Sequence, residues 1–290
     1  MSIKLKEMKV VHKVKRLKSL VKKSASKTIG LVPTMGALHD GHLSLVKRAI
    51  ESSDVVVVSI YVNPTQFNDK SDYARYPHTV KADIKALREL LRAQDIVFVP
   101  TDEEMYPEPD TRHFDFGKVE QVMEGPLRPG HFNGVGQIVS KLFMLVEPDK
   151  SFFGLKDFQQ VAVIKNLVKQ LGMNIEIVPC PIIREKDGLA MSSRNRLLEA
   201  DRRAVAPIIS KAIYAAAEKF GKEEIAEIKK GVVDTIDGTG LLKVEYFEVV
   251  DDTELVPIYS NADIDSSKKY YGCVAVQAGA IRLIDNVAMN

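Results

Sequence analysis

Two imidazoles stand three residues apart in the run Pro33-Thr34-Met35-Gly36-Ala37-Leu38-His39-Asp40-Gly41-His42, where a strand-like segment gives way at once to a helical pattern. A helix N-terminus offers unpaired N–H groups and the positive end of the helix dipole, which suits phosphate. Gly36 and Gly41 let the backbone approach a nucleotide closely. Imidazoles add hydrogen-bond donors that need no permanent full charge. Two blander readings compete. The histidines could lie in a surface turn without function, or His39 and His42 could share a metal. A His-x-Gly-His directly after a buried strand favours function over the first, and no nearby Glu-rich motif completes a zinc site for the second.

A second constellation is Met191-Ser192-Ser193-Arg194-Asn195. Two hydroxyls and a guanidinium on a short loop fit a triphosphate, although Ser and Arg are also common in capping loops. Together with His-x-Gly-His it resembles the paired signature motifs of the class I aminoacyl-tRNA synthetase and nucleotidyltransferase superfamily, whose chemistry is attack on the α-phosphorus of ATP. In Phe153-Gly154-Leu155-Lys156-Asp157-Phe158-Gln159-Gln160, Lys156 follows a strand end and could reach phosphate, and Gln160 lies about one turn later on a similar face. A lysine is as often a solvated surface charge. In Asn63-Pro64-Thr65-Gln66-Phe67, at another strand end, the amides could bind hydroxyl and carboxylate groups without bringing charge; the alternative is an ordinary Asn-Pro turn.

The elements that must position these groups alternate. Strands are expected at Thr28–Val32, Val55–Tyr61, Asp95–Val99, Lys150–Phe153 and Asn174–Pro179. Helices are expected at Gly41–Ser52, Val80–Arg92, Gly134–Val146 and Gln159–Gln170. Strands apolar on both faces and separated by helices indicate a parallel sheet covered on both sides. Sites in such sheets lie beyond the carboxyl ends of the strands, so the loops after Val32, Tyr61, Phe153 and Pro179 should converge. After Arg196 the character changes. An Ala-rich helix is expected over Leu197–Phe220 and another over Glu223–Thr235, followed by antiparallel-looking strands at Lys243–Val250, Tyr270–Gln277 and Ala280–Ile284. The fold class is therefore α/β, a Rossmann-like parallel sheet with a smaller C-terminal α+β domain. The boundary falls within Cys180–Asn195, giving domains of residues 1–182 and 183–290. Gly and Pro cluster at Met105–Asp110 and Gly125–Gly136, which read as loops, the second a candidate lid.

Composition narrows the class of partner. The 41 basic and 39 acidic residues leave a net charge of +2, no global pull toward nucleic acid or an anionic membrane. The lysine-rich Met1–Lys27 lacks the uninterrupted apolar core of a secretory signal and reads as an amphipathic first helix. No apolar run is long enough to span a membrane. Cys180 and Cys273 form no CxxC, which argues against a disulfide scaffold or a zinc ribbon and favours a reducing cytosol.

The chain resembles the pantothenate synthetase (pantoate–β-alanine ligase) family over essentially its whole length. The match runs through Pro33 to His42, Ser59 to Phe67, Arg128-Pro129-Gly130-His131-Phe132, Phe153 to Gln160 and Lys186 to Asn195. Near the end it includes Glu245 to Asp251 and Arg282-Leu283-Ile284-Asp285-Asn286. The resemblance implies that pantoate carboxylate attacks ATP to give pantoyl adenylate, and that β-alanine then displaces AMP. It implies ATP contacts from Met35, Gly36, Ala37, Leu38, His39, Asp40, Gly41 and His42. Further ATP contacts would come from Gly154, Leu155, Lys156 and Asp157, from Ile183, and from Met191, Ser192, Ser193 and Arg194. His42 would be the proton or hydrogen-bond donor, with Lys156 and Arg194 beside it in the chemistry. Gln66 would contact pantoate and β-alanine, Gln160 pantoate, and Asn63 the substrates. Magnesium would ride on the ATP phosphates, and the family is dimeric through its nucleotide-binding domain.

Three positions depart from the family's usual pattern: Leu155 where Glu is frequent, His78 where Arg is usual, and Asn133 where Arg is frequent. None removes an assigned group. The chemistry points the same way independently. A carboxylate is a poor acyl donor, AMP is a good leaving group, and donors fixed at the transferring phosphorus and the departing pyrophosphate lower the barrier. Other readings are a nucleotidyltransferase that stops after adenylation, a stand-alone tRNA-synthetase-like core, and a non-catalytic nucleotide-binding module. The second lacks an anticodon-binding region and a basic surplus, and the third should have lost His42 or Lys156.

Overall fold

The computed structural model describes residues 8–289. The first seven residues of the basic N-terminal segment therefore lie outside the described residues. The chain forms two compact units. One comprises residues up to Phe116 with Arg128–Gly154 and Val163–Cys180; the other comprises Gly117–Leu127, Leu155–Ala162 and the chain from Pro181 onward.

The first unit holds a six-stranded parallel sheet of β1 (Lys9–Val11), β2 (Ile29–Thr34), β3 (Val55–Ile60), β4 (Ile96–Phe98), β5 (Lys150–Gly154) and β6 (Glu176–Cys180), in the order β1-β4-β3-β2-β5-β6. Its helices are α1 (Val14–Lys22), α2 (Asp40–Ser52), α3 (Lys70–Arg75), α4 (Val80–Arg88) and α5 (Asp102–Met105). The Val55–Val58 run is buried throughout, the pattern of a strand covered on both faces. On one side, Leu45, Val46 and Ala49 of α2 pack with Val56, Val58, Leu87 and Phe152. Carboxylates start the strands: the buried Asp95 accepts the N–H of Val56 at 2.9 Å, and the exposed Asp149 that of Ile29 at 2.7 Å.

Several boundaries differ from expectation, each for a physical reason. The three-residue β1 sits in a Lys-rich stretch too short to show a period. In the N-terminal segment, α1 spans only Val14–Lys22 and buries Leu17 and Leu20. β2 continues through Pro33 to Thr34. β5 pairs with it only at Gly30 and Leu31, so its end is one-sided, where proline is tolerated.

The expected lid is largely helical. After a four-residue helix α6 (Glu124–Leu127), the sixteen-residue α7 (His131–Val146) begins behind Gly130, whose φ is 78°. Helix α8 (Phe158–Gln170) follows β5.

In the second unit, β7 (Lys243–Asp251), β8 (Tyr270–Ala278) and β9 (Ile281–Ala288) form an antiparallel sheet in sequence order. Helices α9 (Ala200–Val205), α10 (Ile208–Lys219) and α11 (Ile225–Asp237) complete it. The single helix expected over Leu197–Phe220 is broken at Ala206–Pro207, because proline has no N–H to continue the ladder. Ile209, Ile213, Ile228 and Val232 pack with Phe247, Val249, Val274 and Val276 in one apolar cluster.

Residues 117–127 and 155–162, which chain order places before the boundary at 182, are tied into this unit by polar contacts. The buried Glu124 carboxylate accepts from Arg282 Nη1 at 2.6 Å and Nη2 at 2.8 Å and from the Tyr246 hydroxyl at 2.7 Å. Gln159, 4% exposed, donates to the carbonyls of Val119 and Val122 at 2.7 and 2.8 Å and accepts the Glu124 N–H at 2.9 Å.

Candidate active site

β2 delivers its chain into a turn that only a restricted backbone can make. Gly36 and Ala37 both lie in the left-handed region, at φ 77° and 50°. A Cβ on Gly36 would meet Asp83 Oδ2 and Ile60 Cγ2 at a tight 3.0 Å, so space as well as conformation favours glycine. Thr34 Oγ1 donates to the Ser59 carbonyl at 2.7 Å and accepts the Gly36 N–H at 3.2 Å. Asp83, on α4 and buried, accepts the N–H of Ala37 at 3.1 Å and of Leu38 at 2.9 Å. The Thr79 hydroxyl donates to both oxygens of the same carboxylate.

The two histidines of this turn cap α2. His39 Nδ1 accepts the Gly41 N–H at 3.2 Å, and His42 Nδ1 accepts the His39 N–H at 3.4 Å, a reciprocal capping box built from imidazoles. Their ring centroids are 4.1 Å apart. Because Nδ1 is the acceptor in both, the proton of each neutral ring sits on Nε2. Each imidazole is thereby fixed in orientation and tautomer as an Nε2–H donor. Asp40, exposed, opens the helix with a carboxylate in its first turn.

The loop after β3 meets this turn. Gln66 ends the 3₁₀ turn Pro64–Gln66, and its Nε2 lies 3.2 Å from Met35 Sδ. Asn63, 1% exposed, is a structural hub: its Nδ2 donates to Gln66 Oε1 and to the Gly134 carbonyl, each at 3.2 Å, and its Oδ1 accepts the Tyr106 hydroxyl at 2.7 Å. From the other side, His131 Nδ1 donates to the Gln66 carbonyl at 2.7 Å, with Arg128 Nη1 3.2 Å from His131 Nε2. Helix α7 approaches so closely that a Cβ on Gly134 would fall 2.3 Å from the Thr65 carbonyl oxygen. The Arg128–Phe132 motif thus braces the Gln66 turn. At the ends of β2, β3 and β4 lies a cavity of about 170 Å³ whose lining includes Met35, Gly36, Tyr61, His78 and Asp83. That is below the ~300–1,000 Å³ of pockets for drug-sized ligands, and its lining mixes apolar side chains such as Ile60 and Val99 with polar ones.

Gly154 ends β5 in the first unit, and the second unit carries the remaining assigned residues. Leu155–Asp157 form a 3₁₀ turn after Gly154, with Lys156 half-buried. Gln160 is half-buried in the first turn of α8, beside the fully engaged Gln159. Ile183 and Met191 are joined directly, since the Met191 N–H donates to the Ile183 carbonyl at 3.0 Å. Between them the chain reverses through Gly188, at φ 97°, with Arg184 bridged to Ala190. Ser192 caps the 3₁₀ turn Ser193–Leu197 by accepting the Arg194 N–H at 3.3 Å. Asn195 anchors that turn through the Ala190 carbonyl and Glu185 Oε1, each at 3.0 Å.

The structure therefore places Met35, His39, His42, Asn63 and Gln66 in the turns that follow β2 and β3 in the first unit. It joins Ile183 to Met191 and seats Ser192, Ser193 and Arg194 on one turn of the second. Sequence reading missed the buried Asp83 and gave no role to the buried Asn286, the two residues that hold these turns. Neither carries a local signal, because each acts on backbone groups far away in the chain.

A parallel α/β sheet whose β2–α2 turn bears a capping His-x-Gly-His defines a class I nucleotidyltransferase-like protein. The chain belongs to the pantoate–β-alanine ligase family, whose model matches residues 9–288. It is 53% identical over 283 residues to pantothenate synthetase of Phocaeicola vulgatus, covering 97% of this chain and 99% of that protein. It is 50% identical over 282 residues to pantothenate synthetase of Porphyromonas gingivalis W83, covering 97% and 99%. Among solved structures, the pantothenate synthetase of Thermus thermophilus superposes with a TM-score of 0.89 at 37% identity, covering 97% of this chain and 99% of that one. The pantoate–β-alanine ligase of Francisella tularensis complexed with β,γ-ATP and β-alanine superposes with a TM-score of 0.81 at 33% identity, covering 97% and 98%.

Proposed function

We propose that this chain condenses pantoate with β-alanine in two steps, using ATP. In the first, a pantoate carboxylate oxygen bonds to the α-phosphorus and the bond to pyrophosphate breaks. In the second, the β-alanine amine bonds to the acyl carbon, loses a proton, and AMP leaves. The observation that carries the reading is the imidazole capping box. It presents two Nε2–H donors, fixed in advance, at the head of a helix whose N-terminus favours phosphate. Membership of the ligase family supports the choice of substrates.

ATP is assigned to Met35–His42, Gly154–Asp157, Ile183 and Met191–Arg194. His42 is assigned as the donor to the transferring phosphoryl group, and Lys156 and Arg194 as charge partners of the phosphates. Gln66 is assigned to pantoate and β-alanine, Gln160 to pantoate, and Asn63 to holding Gln66. The described residues contain no cluster of three His, Cys, Asp or Glu able to hold a metal, and magnesium is assigned to the MgATP substrate, carried by the phosphates. Among the described residues no helix is long and apolar enough to cross a membrane. A cytoplasmic homodimer joined through the first unit completes the reading.

The test is an assay with ATP, pantoate and β-alanine, each omitted in turn, following AMP and the amide product. All three should be needed for AMP release at full rate. AMP release independent of β-alanine would overturn the ligase reading.

A further inference from the structure

The motif Arg282-Leu283-Ile284-Asp285-Asn286 has no part in the chemistry above, yet its last residue reaches the turn that carries Lys156. Asn286 lies on β9 and is 4% exposed. Its Nδ2 donates to two successive carbonyls, that of Leu155 at 2.8 Å and that of Lys156 at 3.1 Å. A primary amide has two N–H groups, so both bonds form together. Holding the carbonyls on both sides of the Lys156 Cα fixes the peptide planes around it, and with them the direction of its Cα–Cβ bond.

Asn286 is itself held. Its N–H donates to Asp285 Oδ1 at 2.8 Å, and its carbonyl accepts Arg184 Nη2 at 3.4 Å. Asp285 is gripped by Arg184 Nη1 at 2.6 Å and Nη2 at 2.9 Å. Arg184 also donates to the Gly188 carbonyl at 3.1 Å, within the loop that joins Ile183 to Met191. Burial raises the Asp285 carboxyl above its usual range, against the pull of Arg184 and, more weakly, of the Lys156 ammonium.

We propose that Asn286 is a positioning residue for Lys156 in the adenylation step, setting the aim of the ammonium through the backbone of the Leu155–Asp157 turn. The inference rests on the assignment of Lys156 to the ATP phosphates. A long, flexible side chain amplifies small backbone rotations, and a misplacement of ~1 Å in a reacting group can cost about 10²-fold in rate.

The experiment is pantoate-dependent exchange of labelled pyrophosphate into ATP, run on the full chain as wild type, Asn286→Ala, Asn286→Asp, Lys156→Ala and the double variant Lys156→Ala/Asn286→Ala. Both single changes at Asn286 should lower the exchange kcat by roughly 10–100-fold with the ATP KM shifted by less than ~3-fold, the split expected when an aim rather than a contact is lost. Once Lys156 is gone, removing Asn286 should cost less than ~2-fold, because both act through one group. Multiplicative losses in the double variant, or wild-type exchange in both single variants, would overturn the inference and leave the assignment of Lys156 standing. Full exchange in Lys156→Ala would remove that assignment and the inference with it. If thermal melts show that neither Asn286 variant folds, Asn286 is a folding residue and the inference fails.

Discussion

The Asp83 carboxylate accepts the backbone N–H of Leu38 at 2.9 Å across 45 residues of chain, and its other oxygen takes the N–H of Ala37 at 3.1 Å. Two left-handed residues, Gly36 and Ala37, are thereby pinned from α4, and the turn that orients His39 and His42 is held by this distant carboxylate as well as by the local Thr34 hydroxyl.

Asp83→Asn should therefore damage the turn without altering either histidine. The amide nitrogen it introduces cannot accept, so one of two buried N–H groups is left unpaired, at a cost of about 1–3 kcal/mol. The melting temperature should fall, and pyrophosphate exchange should fall by an amount approaching that of His42→Ala, for which the loss of one transition-state donor gives roughly 10²–10³-fold. Wild-type exchange in a folded Asp83→Asn protein would show that the histidines keep their aim without it.

The adjacent glutamines of α8 should separate stability from binding. Gln159 is buried and makes three backbone hydrogen bonds to the 119–124 segment, whereas Gln160 is half-buried. Gln159→Ala should lower stability by about 2–4 kcal/mol, from several unpaired backbone groups, with little change in substrate affinity in the protein that remains folded. Gln160→Ala should leave the melting temperature nearly unchanged and weaken pantoate while sparing ATP. Calorimetric titrations of both ligands distinguish the two. If Gln160→Ala loses ATP and keeps pantoate, its assignment is wrong.

Which features were legible in the sequence follows from how local their causes are. The β-branched runs Ile29–Val32 and Val55–Ile60 declare buried strands by themselves, and the paired imidazoles stand out because their spacing matches one helical turn. Pro207 breaks a helix whose apolar period runs straight through it, because the ladder fails where an N–H is missing. Gly134 reads as the overlap of the expected 125–136 loop and the expected Gly134–Val146 helix, and nothing local shows that its place depends on an approach to Thr65 that leaves no space for a Cβ, a contact 69 residues away along the chain. The 117–127 segment joins the C-terminal sheet through a Glu124–Arg282 pair 158 residues apart. Long-range polar contacts of this kind leave no period and no spacing to read.

Acid stability should depend on Asp251. Burial raises its pKa, but the Thr253 hydroxyl and the N–H groups of Glu254, Thr253 and Val256 outweigh it and bring the carboxyl down to about 2. A folded-state value below the unfolded one means that the ionised form stabilises the fold. That contribution is fully present above the unfolded pKa near 3.8 and is lost as pH falls toward 2. Between these values the wild type should lose stability more steeply than Asp251→Asn, which already lacks the contribution at neutral pH. Denaturant midpoints measured at intervals from pH 5 to pH 2 should converge for the two proteins; parallel curves would remove Asp251 from the account.

The two-step chemistry makes a sharper demand on the enzyme without its amine. A carboxylic–phosphoric anhydride hydrolyses readily, so a site that makes one must shield it until β-alanine arrives. With ATP, Mg²⁺ and pantoate alone, the protein should therefore hold a bound mixed anhydride and release little AMP. The first step is reversible while its products remain bound, so labelled pyrophosphate should pass into ATP, and only when pantoate is present. Lys156→Ala should suppress this exchange, since Lys156 is assigned to the phosphates and not to the amine. Adding β-alanine to the loaded wild type should then release AMP and pantothenate in equal amounts in a single turnover. Exchange without any carboxylic acid, or AMP release indifferent to β-alanine, would mean that the protein transfers the adenylyl group and stops there.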